Sequence, residues 1–196
     1  MSKEALIIFA KNPELGEVKT RLAKAVGDEA ALDIYYQLLA YTQEQTAKAQ
    51  IDLIVYYTTH IDEKDNWINT QKKLQCDGDL GNKMAQAISS ELEKYEKVCI
   101  IGTDCAQLKS FHIQGAFQKL EEHDIVIGPA NDGGYYLLGM KSFEPSLFEG
   151  IDWSTDKVFS QTIKAISLLN RNYAQLPELI DVDTIEDWNK VQENFK

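Results

Sequence analysis

The stretch ALIIFAKNPELGEVKTRL, residues 5–22, decides the fold class. Its first six residues form a short apolar run with two isoleucines, and a loop with a proline and a glycine follows. A short apolar run bounded by loop residues is typical of a β-strand that is buried on both faces. The loop also contains Lys11, Lys19 and Arg21, although the whole chain has a formal net charge of −11. We therefore expect a buried strand that leads into a cationic binding loop.

Strand-like and helix-like segments alternate along the rest of the chain. We predict strands at residues 5–10, 51–58, 73–76, 97–102, 124–130, 134–140 and 173–179, and helices at residues 28–48, 80–95, 110–122, 156–170 and 184–194. Ser110 is the expected cap of its helix, and Thr184 with Asp187 has the spacing of a capping box. This alternation predicts a three-layer α/β/α fold with a mostly parallel, Rossmann-like sheet. Because no repeat or linker-like run interrupts it, we expect one domain over residues 1–196.

The composition excludes several classes of function. A net charge of −11 repels phosphates of nucleic acids and anionic lipids, so we expect no nucleic-acid polymer and no membrane as a partner. The three cysteines form no CxxC pair, which argues against a zinc site or a disulfide framework. The three histidines fall in no triad or ligand pattern and receive no role. The N-terminal apolar run is too short for a signal or membrane span, so we expect a cytoplasmic protein. The oligomeric state stays open.

Two loops are candidates for binding phosphates. Ligands of open α/β sheets lie beyond the carboxyl ends of the strands, and there the first loop offers Lys11, Gly16, Lys19, Thr20 and Arg21. The second loop, DGDLGNKM at residues 77–84, has Gly78 and Gly81 for a close backbone approach, and Lys83 lies in a first helical turn that favours an anion. The structural alternatives are a solvated loop and a helix cap from Asp79. Neither loop has the Walker A or dinucleotide-binding glycine pattern.

A carboxylate after a buried strand is the candidate metal ligand. Asp104 follows such a strand in IIGTDCAQL, residues 100–108, and could hold Mg²⁺ or Mn²⁺ against phosphate oxygens. Asp181 and Asp183 follow the last predicted strand and could face the same metal. A lone aspartate in a loop is otherwise a cap or turn residue, so that alternative also stays open.

Two further segments suggest an acceptor site. The segment GPANDGGYYLLGM, residues 128–140, is first of all a hairpin turn, but its second glycine and paired tyrosines exceed what a turn needs. In IDWSTDKV, residues 151–158, a cap from Ser154 or Thr155 is a sufficient structural explanation. We predict that Asp132 and Asp156 orient or deprotonate an acceptor. The predicted acceptor pocket consists of Gly133, Gly134, Tyr135, Tyr136 and Trp153.

Six short blocks give the chain a family resemblance. AKNPELGEVKTRL, GDLGNKM, GTDCAQL, NDGGYYLLGM, WSTDKV and DVDTIED occur in this order across nearly the whole chain. Together they resemble the bacterial glycosyltransferase-like family with the GT-A, or nucleotide-diphospho-sugar transferase, fold, which is related to phospholactate guanylyltransferase and more distantly to molybdenum-cofactor guanylyltransferase. By this resemblance Lys11, Lys19 and Arg21 match the phosphate-loop positions and Asp104 the metal-site acid. Asp132 matches the acceptor-side Asp-Gly-Gly motif.

The resemblance implies a metal-dependent transferase. Its partners would be a nucleotide or nucleotide-sugar donor and a small-molecule acceptor, with Mg²⁺ or Mn²⁺ bridging a diphosphate. Glycosyl transfer is the expected reaction. Guanylyl transfer from a nucleoside triphosphate and a nucleotide-binding module without catalysis are the alternatives. They stay open because the GxGxR run is absent, and Thr103-Asp104-Cys105 keeps one acid of the usual Asp-x-Asp.

Overall fold

The computed structural model describes residues 3–68 and 70–195 as strands alternating with helices. The strands are β1 (Glu4–Ala10), β2 (Asp52–Tyr57), β3 (Gln71–Leu74), β4 (Lys97–Ile101), β5 (Ile125–Pro129), β6 (Tyr135–Met140) and β7 (Tyr173–Gln175). The α-helices are α1 (Thr20–Val26), α2 (Asp28–Ala47), α3 (Leu80–Leu92), α4 (Ser110–Glu122), α5 (Val158–Leu168) and α6 (Ile185–Val191). Short 3₁₀ turns cover Pro145–Leu147 and Gln192–Phe195.

These strands form one sheet in the order β3-β2-β1-β4-β6-β5-β7. Strand β6 runs antiparallel to its neighbours β4 and β5, and the other paired strands are parallel. The predicted mostly parallel sheet is therefore confirmed, and so is the hairpin at the Asp-Gly-Gly turn, which joins β5 to β6. As a result, the amino end of β6 lies at the same edge of the sheet as the carboxyl ends of the parallel strands.

Alternating side chains of the central strands build two cores. On β1, Leu6 and Ile8 face one side and pack with residues of α4, whereas Ala5 and Ile7 face the other side and pack with residues of α3. A third cluster joins α1, α2 and α6. Helices therefore cover both faces of the sheet, which confirms the predicted three-layer architecture. We call the two sides the α2–α4 face and the α3–α5 face.

Local details differ from the predictions at some helix and strand ends. The third strand begins two residues earlier than predicted, and α1 was not predicted because seven residues are too few to show a helical period. Ser110 is the first helical residue rather than the cap: the backbone N–H of Lys109 donates to the His112 ring Nδ1 at 3.0 Å, which gives that histidine a role. The Thr184–Asp187 capping box is confirmed.

Two remaining expectations concern thiols and membranes. Cys76, Cys99 and Cys105 are free thiols, and the last two are buried. Burial raises the pKa of both buried thiols, which keeps them protonated and unreactive. Within the described ranges, no helix combines the length and apolar character needed to cross a membrane.

Candidate functional site

A cleft of about 640 Å³ opens at the carboxyl edge of the sheet. Its walls come from the residues that follow β1, β2, β3 and β4, from the turn before β6, from the start of α3, from the loop before α5 and from the segment after β7. Crevices at this edge are where open α/β sheets bind ligands. The volume lies within the usual range for a small-molecule site. The cleft is therefore the candidate site.

The first loop is held in place by two side chains that sequence analysis did not select. The Tyr35 hydroxyl accepts a hydrogen bond from the Lys11 N–H at 3.0 Å and donates to the Lys11 carbonyl at 2.9 Å. Burial and the charge of Asp104 raise the pKa of Tyr35, so the hydroxyl stays protonated and can serve both groups. The Asn12 side chain accepts from the Thr59 N–H at 3.0 Å and donates to the His60 carbonyl at 2.9 Å. These bonds fix the loop to α2 and to the end of β2.

Lys19 connects this loop to the C-terminal part of the chain. Its backbone is left-handed, with φ 50°, and its side chain is only 4% exposed. The ammonium donates to the Val182 carbonyl at 2.6 Å and contacts Asp104 Oδ1 at 2.7 Å, with Asp183 Oδ1 at 3.9 Å. The Lys19 ammonium therefore binds groups of the protein itself. Lys11 and Thr20, in contrast, are exposed at the cleft.

The segment of residues 179–183 brings two more carboxylates to the cleft. Its backbone bonds to the ends of β4 and β5: the Val182 N–H donates to the Asp104 carbonyl at 3.0 Å, and the Asn131 N–H donates to the Leu179 carbonyl at 3.0 Å. Asp181 and Asp183 consequently lie beside Asp104 and line the cleft with it.

The carboxylates create a strongly negative local potential. Burial, followed by the charges of Asp104, Asp132 and Asp183, raises the pKa of Asp181 to about 8, although Lys19 acts in the opposite direction. Arg21 Nη1 contacts Asp183 Oδ2 at 3.0 Å, but its side chain is 62% exposed and offsets this potential weakly. The site therefore favours additional positive charge.

The carboxylate oxygens of residues 179–183 and of Asp104 are chemically suited to binding a hard divalent cation. The carboxylate oxygens of Asp104, Asp181 and Asp183, which all line the cleft, are ligands of the kind that Mg²⁺ and Mn²⁺ prefer. In the part of the chain that is described, however, no three His, Cys, Asp or Glu side chains already form a metal-binding group. The Lys19 ammonium occupies the position between Asp104 and Asp183. A cation would therefore require a rearrangement of these side chains.

Asp132 and Asp156 also line the cleft. Asp132 Oδ1 accepts the Gly134 N–H at 2.9 Å. At Gly133, where φ is 86°, a Cβ would lie 2.2 Å from the Asp156 carbonyl oxygen, so only glycine allows the turn and the loop to approach this closely. The Phe159 N–H also donates to the Gly133 carbonyl at 2.8 Å. Gly133 thereby keeps the turn that contains Asp132 in contact with the loop that contains Asp156.

A second glycine contact positions an aromatic side chain in the cleft. A Cβ at Gly81 would lie 2.2 Å from Trp153 Nε1, so the indole packs directly on the first turn of α3. Trp153 and Tyr135 are both half-buried and line the cleft. Tyr136 also contributes to the lining, but its side chain is buried on the other face and its hydroxyl donates to the Pro177 carbonyl at 3.1 Å.

The structure brings most of the predicted site residues together. The cleft is lined by Lys11, Lys19, Thr20, Arg21, Asp104, Asp132, Gly134, Tyr135, Tyr136, Trp153 and Asp156. Gly16, Gly78 and Lys83 lie outside its lining. Gly81 and Gly133 are not lining residues either, but their backbones pack against the lining residues Trp153 and Asp156. Asp79 caps α3 by accepting the Asn82 N–H at 2.8 Å, as the structural alternative predicted.

Sequence reasoning missed several lining residues. Thr58 and Gln75 follow β2 and β3, so the rule that ligands bind at carboxyl strand ends could have identified them. Phe9, Tyr35 and Met84 gave no such signal, because their spacing is also that of ordinary core residues.

The sheet and the cleft define a class of protein. The fold is the GT-A-like α/β fold shared by nucleotide-diphospho-sugar transferases and nucleotidyltransferases. Within that class, the chain belongs to the family described as "Uncharacterized protein conserved in bacteria (DUF2064)", whose model matches residues 41–155, more than half of the sequence. No curated protein sequence matches the chain.

Three solved structures illustrate the similarity. An inferred nucleotide-diphospho-sugar transferase from Desulfovibrio desulfuricans G20 is 32% identical, with a TM-score of 0.90 over 96% of this chain and 86% of that chain. The inositol-1-phosphate CTP transferase of T. maritima is 15% identical, with a TM-score of 0.63 over 99% and 95% of the two chains. Rv0371c of Mycobacterium tuberculosis H37Rv, in complex with manganese, is 13% identical, with a TM-score of 0.57 over 97% and 98%. The last two similarities show the fold alone.

Proposed function

We propose that this chain is a metal-dependent transferase that moves a glycosyl group from a nucleotide-diphospho-sugar to a small-molecule acceptor. The observation that carries the proposal is that cationic, acidic and aromatic side chains meet in one cleft. Lys11, Lys19 and Arg21 line it together with the acids Asp132 and Asp156 and the aromatic side chains of Tyr135 and Trp153. Group transfer of this kind depends on positioning and charge neutralisation rather than on a protein nucleophile.

The donor is proposed to lie over the first loop. Lys11, Thr20 and Arg21 are exposed cleft residues and contact the diphosphate. Thr58 and Gln75, at the ends of β2 and β3, contact the nucleoside. Lys19 keeps its bonds to Val182 and Asp104, and so holds the donor loop against the C-terminal segment.

Mg²⁺ or Mn²⁺ is proposed to be held by Asp104 together with Asp181 or Asp183. Bound there, the cation supplies positive charge that neutralises the departing diphosphate. Asp104 already lies next to the first loop, because its Oδ1 contacts the Lys19 ammonium at 2.7 Å. Because the Lys19 ammonium contacts both Asp104 and Asp183, we expect metal binding to shift its contacts with these carboxylates.

In the proposed reaction, the acceptor hydroxyl oxygen forms a bond to the anomeric carbon of the donor sugar. The bond between that carbon and the diphosphate oxygen breaks, and the nucleoside diphosphate leaves with the electron pair. Asp132 receives the hydroxyl proton: its Oδ1 accepts the Gly134 N–H, which orients the carboxylate for this task. Asp156, which also lines the cleft, orients the acceptor.

Nucleotidyl transfer is the second candidate function. The solved structures with the same fold include the inositol-1-phosphate CTP transferase of T. maritima and a CMP:2-keto-3-deoxy-manno-octonic acid synthetase in complex with CTP. With a nucleoside triphosphate, the acceptor would attack the α-phosphorus and pyrophosphate would leave. The products separate the two reactions, since glycosyl transfer releases a nucleoside diphosphate.

The first experiment is a thermal-shift screen of nucleotides and sugar nucleotides with and without Mn²⁺, because a ligand of the native state raises the melting temperature. We expect a shift with a sugar nucleotide that is larger with Mn²⁺. A shift with GTP and with no sugar nucleotide would favour guanylyl transfer. If no nucleotide shifts the melting temperature, both proposals are wrong. A metal-independent shift without turnover would indicate a binding module.

The second experiment replaces the proposed metal ligand. Asp104→Asn should abolish the effect of Mn²⁺ on nucleotide binding and turnover, because an amide is a weaker ligand than a carboxylate. Asp33→Asn, an exposed position on α2, is the matched control and should change neither. Unchanged nucleotide affinity and turnover in Asp104→Asn would show that the metal assignment is wrong.

A further inference from the structure

We propose that the acceptor end of the cleft is built for an uncharged, hydroxylated ring compound and not for a phosphorylated acceptor. This inference rests on the proposed function, because it assumes that the nucleotide occupies the cationic end. It adds the chemical class of the acceptor. Two independent features carry it: an apolar wall and the distribution of charge along the cleft.

The apolar wall combines side chains from distant parts of the chain. It consists of Phe9, Leu80, Met84, Tyr135, Trp153 and Val158. We call this set the aromatic end. Phe9, Met84, Tyr135 and Trp153 belong to the core cluster on the α3–α5 face of the sheet. Lys19 and Arg21, by contrast, stand at the start of α1, which packs with α2 and α6. The aromatic end therefore belongs to the α3–α5 face of the sheet, whereas Lys19 and Arg21 lie with the helices α1, α2 and α6.

The aromatic end is fixed in shape. The indole of Trp153 packs on the Gly81 backbone with no room for a Cβ between them. Met84 is 5% exposed and held in the core, and the rings of Phe9 and Tyr56 pack with their centroids 5.9 Å apart. A preformed apolar surface of this kind favours a ring that can stack on it, which includes the apolar face of a sugar.

Polar groups at this end suit hydroxyl groups. The Tyr135 hydroxyl has Met84 Sδ as a neighbour at 4.0 Å, and a thioether sulfur is a weak acceptor. Burial raises the pKa of Tyr135, so the phenol keeps its proton and can donate to a ligand oxygen. Asp132 and Asp156 also line the cleft and supply acceptors for ligand hydroxyl groups.

The charge distribution argues against a phosphate on the acceptor. The lysine and arginine residues of the cleft lining all come from the first loop and the start of α1. Lys157 lies next to Asp156 in sequence, but its ammonium is 3.7 Å from Asp152 Oδ2 and does not contribute to the lining. Among the described residues, segments 132–135 and 153–158 contribute two carboxylates and no lysine or arginine to the lining, so a phosphate bound beside them would meet like charge, which is unfavourable. The distantly similar inositol-1-phosphate CTP transferase of T. maritima is named for a phosphorylated compound, whereas we expect this chain to prefer a compound without a phosphate.

The test compares phenyl β-D-glucopyranoside with its 6-phosphate ester, two probes that differ by one phosphate. Binding is followed by saturation-transfer NMR and titration calorimetry on the full chain, alone and saturated with GDP or UDP, whichever raises the melting temperature. We expect the glucoside to bind in both states and the ester to bind at least about tenfold more weakly.

Variants locate the binding. Trp153→Ala should weaken glucoside binding by about tenfold, and Trp153→Phe should retain most of it, because a ring still offers a stacking face. Phe111→Ala removes an aromatic side chain that is 59% exposed on α4, away from the cleft, and should change nothing. If Trp153→Phe folds and binds the glucoside, the weaker binding of Trp153→Ala results from the loss of the stacking ring.

Three outcomes would overturn the proposal: equal or tighter binding of the ester, full binding by Trp153→Ala, or displacement of the glucoside by the nucleotide. The proposed function fails separately if no nucleotide binds. In that case the glucoside titration of the nucleotide-free chain still decides whether the aromatic end binds an uncharged ring.

Discussion

Among single residues, Lys19 is the one on which the site depends most. Its ammonium is nearly enclosed and bonds to Val182 and Asp104, whereas Arg21 pairs with Asp183 at the surface. Lys19→Met should lower the free energy of unfolding by about 1–3 kcal/mol, because it leaves a carbonyl and a carboxylate without their partner. Arg21→Met is the control and should cost less than about 1 kcal/mol. Urea denaturation of both variants measures the difference; equal losses would contradict the structural role of Lys19.

Gly81 is the second residue with a distinct prediction. An alanine methyl group there would overlap the Trp153 indole, so Gly81→Ala should displace the ring and change its fluorescence emission. Gly115 lies in α4, where an added Cβ would meet nothing within 4 Å, and Gly115→Ala should raise stability by about 0.5–1 kcal/mol. Thermal unfolding and emission spectra of the pair measure the contrast. If both substitutions stabilise the protein, Trp153 does not require the glycine.

At the scale of elements, α6 fixes the acidic segment of the cleft. The helix follows Asp183 after its cap residue Thr184, whose hydroxyl accepts the Asp187 N–H at 3.3 Å, while the Asp187 carboxylate accepts the Thr184 N–H at 3.1 Å. Thr184→Ala should cost about 1 kcal/mol in urea denaturation. Thr184→Ser keeps the hydroxyl and should cost much less. A serine variant as unstable as the alanine variant would show that capping is not the cause.

Over the whole molecule, periodicity predicts the layers but not the order of the strands. The apolar runs of β1, β4 and β5 identify buried strands, yet β6, which lies between β4 and β5 and runs antiparallel, has the same kind of apolar run. The carboxyl-end rule identifies Asp104, and the turn between two strand-like runs identifies Asp132. Neither pattern could reveal the contact of Tyr35 with Lys11, because a tyrosine at a helical core position shows no sign of its distant hydrogen bonds.

A charge network away from the cleft links β2, β3 and α3 through Glu91. This buried carboxylate accepts the Tyr56 hydroxyl at 2.6 Å and pairs with Lys73 and Lys94. Burial alone would raise the pKa of Glu91, but the hydrogen bonds from Lys73 and Tyr56 outweigh it and lower the pKa. The native state therefore binds this proton less readily than the unfolded chain does. The resulting stability is present above the unfolded pKa, about 4.3, and is lost as the pH falls through the lower native pKa.

Glu91→Gln tests this network across pH. At pH 7 the variant should be about 1–3 kcal/mol less stable than the parent chain, because Lys73 and Tyr56 lose a charged acceptor. The difference should shrink as the pH falls below the unfolded pKa of about 4.3 and through the lower native pKa, where the parent carboxylate also becomes protonated. Glu93→Gln, at an exposed position two residues further on, should stay within about 0.5 kcal/mol of the parent at every pH. Urea denaturation from pH 3 to 8 gives both comparisons. A stability difference that does not vary with pH would mean that Glu91 acts through packing and not through its charge.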